Sequence, residues 1–85
     1  MKNTWILGIH ITGRVKEVQE VQAALSKFGC SIRTRLGLHD TNDSKCPVCG
    51  LILLELTGDL NECMKLENEL LKIEGLEVKK MIFSD

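Results

Sequence analysis

Two thiols stand two residues apart in the string Cys46-Pro47-Val48-Cys49, within an 85-residue chain whose other cysteines are Cys30 and Cys63. Thiolates at this spacing can grip one zinc or iron ion, because soft sulfur donors suit such metals. A closed tetrahedral shell needs about four donors, so the pair is incomplete by itself. His39 opens the same polar stretch and is the natural third donor; Asp40, Asp43 or a second subunit can supply the rest. The plainer alternative is a pair of exposed thiols in a hairpin, with a reversible regulatory disulfide standing between the two readings. A thioredoxin-type role fits less well. That chemistry wants the first cysteine at a helix N-terminus, where its pKa falls, and here the motif runs into a strand.

Other candidates are more scattered. His10 falls near the end of the first strand pattern, on the face opposite Trp5, Leu7 and Ile9. Histidines on a sheet face are mostly structural, yet neutral imidazole is a common metal ligand and two such faces can meet across an oligomer. Thr12-Gly13-Arg14 forms the first strand–helix turn, where backbone N–H groups at a helix N-terminus favour anions; a plain turn glycine is the simpler account. Gly13-Arg14-Val15 is similar to the start of the acylphosphatase phosphate loop. The residues that follow, Lys16-Glu17-Val18-Gln19, bring acidic charge instead of glycines, and the second strand has no asparagine. Heavy-metal-binding domains of the ferredoxin-like fold place their paired cysteines in that first turn, which here has none. Cys63 sits in an apolar stripe and reads as a small core residue.

The elements that must position these residues are legible as changes of period. Trp5, Leu7, Ile9 and Ile11 alternate with Ile6, Gly8 and His10, which is strand spacing over 4–12. Val18, Val21, Leu25 and Phe28 recur at helical steps, and Gly29 is expected to end that helix in a left-handed conformation. A second strand follows with Ile32, Thr34, Leu36 and Leu38 inward and Arg33, Arg35, Gly37 and His39 outward. Residues 39–50 are polar and breaker-rich, and are expected to form a long, mobile hairpin. The run 51–57 is apolar on both faces and therefore central. Asp59 is an N-cap, and Glu62 completes a capping-box pattern. Leu60, Cys63, Leu66, Leu70 and Ile73 make the second helical stripe, Gly75 ends it, and 76–83 is the last strand.

Thr12-Gly13, helix, Gly29 and strand are echoed by Thr57-Gly58, helix, Gly75 and strand. Two βαβ units joined by a hairpin give an α+β, ferredoxin-like βαββαβ sandwich: a four-stranded antiparallel sheet with both helices on one face. The open face would carry Ile6, Gly8, His10, Arg33, Arg35, Leu51, Leu53, Glu55, Met81 and Phe83. It is too apolar to leave wet, so Ile6, Leu51, Leu53 and Phe83 are expected at the interface of a homo-oligomer, a dimer or tetramer.

Size and charge narrow the function classes. Eighty-five residues make one domain, 1–85, with a thin core. A net charge of −1 offers no general attraction for nucleic acid or anionic lipid. RNA-binding sheets of this topology stack bases on central aromatics, and those positions here are Ile6, Gly8, Leu51 and Leu53. No run reaches the roughly 20 apolar residues of a membrane span, and Trp5–Ile11 is too short for a signal peptide. The expected setting is the cytosol, where thiols outnumber disulfides.

Particular strings carry a family resemblance. Arg35-Leu36-Gly37-Leu38-His39-Asp40, the run from Gly50 to Asp59, and Ile73-Glu74-Gly75-Leu76-Glu77-Val78-Lys79-Lys80-Met81 resemble the iron-only hydrogenase system regulators. These are small stand-alone ACT-like domains, similar in turn to the ligand-binding domain of nickel-responsive repressors. The resemblance implies a regulatory, non-catalytic oligomer that senses a small effector or a metal (zinc, iron or nickel) without a DNA-binding segment of its own. It also implies that His10 can act as a cross-subunit ligand. An assembly domain that oligomerises with no ligand is the alternative, as is a redox switch at Cys46 and Cys49.

Overall fold

The computed structural model describes residues 3–39 and 49–84, the side chain of His39 excepted. Its elements run β1 (Asn3–Ile11), α1 (Val18–Lys27), a short 3₁₀ turn (Gly29–Ser31), β2 (Ile32–His39), β3 (Gly50–Leu56), α2 (Leu60–Leu71) and β4 (Glu77–Ser84). The strands form one sheet in the order β2-β3-β1-β4, every adjacent pair antiparallel. Each helix thus links two strands with a third between them: α1 skips β3, and α2 skips β1. This is the α+β, ferredoxin-like arrangement expected from the periodicity, with β1 and β3 central.

The core lies between sheet and helices because both helical stripes face one side of the alternating strands. Leu7, Ile9, Leu54, Leu66, Leu70 and Val21 are almost fully enclosed. Trp5 and Ile11 from β1, Ile52 and Leu56 from β3, Leu25 and Phe28 from the first stripe, and Cys63 and Ile73 from the second complete it. Lys27 joins the helices through Glu69 at 2.6 Å. On the helix side of β4, Lys80 bonds Glu67 at 3.1 Å and lies 5.0 Å above the Trp5 ring.

Three expectations need correction. Gly29 is not left-handed; among the described glycines with positive φ are Gly58 (φ 87°) and Gly75 (φ 83°), not Gly13 or Gly29. The chain leaves α1 through a right-handed 3₁₀ turn in which Ser31 N–H donates to Phe28 O, and Ser31 O then accepts from Thr57 N–H. The sequence echo between the two halves is therefore not an echo of backbone conformation. Asp59 caps α2 by accepting from Asn61 N–H at 2.9 Å, but Glu62 pairs forward with Lys65 instead of closing a capping box.

The third correction matters most. A β-bulge lies between Ile32 and Thr34, so Ile32 pairs with Leu56 while Thr34 pairs with Glu55. One extra residue inverts the alternation of all that follows. Arg35 and Gly37 pair with Leu54 and Ile52 on the helix side, and Leu36 and Leu38 pair with Leu53 and Leu51 on the open side. This reverses the facing expected for β2.

Candidate functional site

The open face of the sheet is built by register. Ile6, Gly8 and His10 of β1 oppose Glu55, Leu53 and Leu51 of β3, and Met81, Lys79 and Glu77 of β4. Thr4 opposes Phe83. Thr34, Leu36 and Leu38 join the face, and Arg35 leaves it. Gly8 is the central depression, and a Cβ built there would lie 3.7 Å from a Leu53 methyl. Around it Ile6, Leu51 and Leu53 are half-buried, while Leu36, Leu38, Met81 and Phe83 stand 51%, 48%, 55% and 57% exposed. Seven large apolar side chains thus share one uncovered surface. Its polar members are tied locally: Thr34 Oγ1 donates to Glu55 at 3.1 Å, and His10 Nδ1 lies 3.4 Å from Glu77 Oε1.

The turn of Thr12, Gly13 and Arg14 uses its own donors. Arg14 N–H bonds Thr12 Oγ1 at 3.2 Å, and Val15 N–H bonds Thr12 O at 3.1 Å. Gly13 is exposed, and a Cβ there would meet nothing within 4 Å. Close contact comes instead from the α2–β4 turn, where a Cβ on Gly75 would fall 2.3 Å from Arg14 O.

Of the sulfur-centred candidate, the structure places Cys49, and Cys46 lies outside the described residues. Cys49 is buried at the start of β3, 6% exposed, and is disulfide-bonded. His39 pairs through its backbone with Gly50, in the row beside that of His10 and Leu51. The proposed mobile hairpin of 39–50, with Asp40, Asp43, Ser44 and Pro47, lies almost wholly outside the described residues. Among the described residues no three His, Cys, Asp or Glu side chains gather as a metal site.

Cys30 and Cys63 are free, at the opposite end of the sheet. Cys63 Sγ lies 3.6 Å from Thr57 O, and its pKa is raised by burial and then by the Asp59 carboxylate.

One feature escaped sequence reasoning because the bulge reverses β2. A cleft of about 230 Å3 opens between α1 and the strands β2 and β3, with Arg35 and Gly37 on its wall. The run Arg33-Thr34-Arg35 carries no residue that announces a bulge, so nothing in the string signals it.

No helix among the described residues is long and apolar enough to cross a membrane. No protein-family model and no curated protein matches the chain. Among solved structures it is similar to an uncharacterized protein from Thermotoga maritima, with 25% identity over 98% of this chain and 100% of that one, at a TM-score of 0.79. It is also similar to the regulatory subunit of aspartate kinase from Thermus flavus, at 20% identity and a TM-score of 0.52, covering 94% of this chain and 51% of that one. A formyltetrahydrofolate deformylase from Pseudomonas putida shares 16% identity at a TM-score of 0.51, over 92% of this chain and 28% of that one. The last two likenesses are of fold, found in a regulatory subunit and within an enzyme alike, and the first extends end to end over a protein of this size.

Proposed function

We propose that the chain is a regulatory module that assembles with further copies through the open face of its sheet and couples that assembly to a small effector or metal. The observation that carries this reading is the uncovered surface of Ile6, Leu36, Leu38, Leu51, Leu53, Met81 and Phe83. Full burial of one such side chain contributes about 1.5–3 kcal/mol, so a contiguous set of them drives association. The fold shared with a regulatory subunit supports the reading, and the resemblance of its strings to iron-only hydrogenase system regulators extends it to control of a hydrogenase system. His10, on this face, is the residue through which a metal such as nickel or zinc would link copies. The test is sedimentation of the protein with and without zinc, nickel or ferrous ion and small organic acids. A ligand-dependent shift in assembly, with melting temperature rising as ligand is added, is the expected result. A domain whose assembly and melting ignore every ligand would be a structural one.

The disulfide at Cys49 favours a second reading, a redox switch at the start of β3. Reduction should then change assembly or ligand response, and Cys49→Ser should copy the reduced state. Identical behaviour of oxidised and reduced protein eliminates it.

A further inference from the structure

We propose that the cleft between α1 and β2 is a binding site for a small aliphatic carboxylate. Ile11, Val18 and Ile52 form its apolar walls. The cleft exists because Gly37 has no side chain: a Cβ built there would meet nothing within 4 Å, and its φ is not in the left-handed range that requires glycine. The space of about 230 Å3 is close to the liquid volume of about eight waters at about 30 Å3 each, which suits an acid of five or six carbons.

Arg35 supplies the charge. The bulge turns its side chain to the helix side, where the guanidinium donates to Gln22 Oε1 at 2.9 Å. Gln22 is neutral, and none of the described residues lining the cleft is Asp or Glu. A guanidinium beside an apolar wall, with no carboxylate among the described residues of the cleft, matches a carboxylate with a hydrocarbon tail. The described lining offers no carboxylate to an ammonium group, so the acid is favoured over the corresponding amino acid. The proposal rests on the effector reading above and names the effector's class.

Calorimetric titration with 4-methylpentanoate, 4-methylpentanamide and leucine tests it. The acid should bind saturably with a Kd of about 1 mM or tighter, the weak end of specific binding, while amide and leucine bind at least about tenfold more weakly. Arg35→Gln should weaken the acid by about tenfold or more, one charge-assisted pair. Gly37→Leu should fill the cleft and abolish binding while leaving the melting temperature near wild type. Lys72→Ala, exposed and away from the cleft, should bind normally. Absence of saturable binding, equal binding of acid and amide or leucine, or normal binding by Arg35→Gln or by folded Gly37→Leu overturns the proposal. If Gly37→Leu does not fold, Arg35→Gln decides. Sedimentation in the same samples keeps the two claims apart: acid that binds without altering assembly leaves the cleft standing and removes its regulatory role.

Discussion

Cys63 lies in the first turn of α2, buried against Thr57 O, and desolvation followed by the Asp59 and Glu62 charges raises its thiol pKa. The folded state therefore holds the proton more tightly than the unfolded chain. Stability linked to this group is intact below the unfolded thiol pKa of about 8.5 and declines as pH rises through it, because the unfolded state then releases the proton first. Cys63→Ala should cost about 1 kcal/mol at neutral pH but flatten the alkaline decline, as measured by urea unfolding followed by Trp5 fluorescence. An unchanged slope would contradict it. Gly75 is constrained twice, by φ 83° and by Arg14 O at 2.3 Å from a Cβ. Gly75→Ala should destabilise by about 2–4 kcal/mol, whereas Gly13→Ala should be tolerated. Sequence reading found Cys63 and Gly75 correctly, since an apolar stripe and a terminal glycine are local signals. It misjudged Gly29, because glycine permits a left-handed turn without demanding one.

At the scale of elements, β1, β3 and both helices follow from period alone, although Leu60, read into the second stripe, is 47% exposed, and Ala24, not read into the first, is buried. Strand β2 does not. Its first residues pair as read, and the extra residue at Arg33 then exchanges inner for outer positions from Thr34 onward. A period-2 pattern cannot reveal its own phase shift when residues on both sides of the slip are mixed in character, as Arg33, Thr34 and Arg35 are. The two phases make opposite claims about Leu36. Inward facing predicts that Leu36→Glu unfolds the protein; the observed register places it on the open face, so the variant should fold with a circular dichroism spectrum like wild type. An unfolded Leu36→Glu chain would show that the bulge is misplaced.

Across the whole molecule, the helices cover one side of a four-stranded sheet and leave the other bare. Small domains bury a modest share of their surface and often supplement a thin core by association. Here seven apolar side chains lie where a second sheet would pack. The placement of Ile6, Leu51, Leu53 and Phe83 on the open face was legible before the structure, because β1, β3 and β4 keep their phase. Leu36 and Leu38 were not, and the cleft at Arg35 and Gly37 was invisible for the same reason. The central claim is that copies meet through this face, and sedimentation velocity of wild type beside Leu36→Glu tests it most directly. At tens of micromolar, about the range in which weak dimers form, wild type should sediment as a dimer or larger and the variant as a folded monomer. A monomeric wild type, or a variant that assembles as wild type does, would contradict the account.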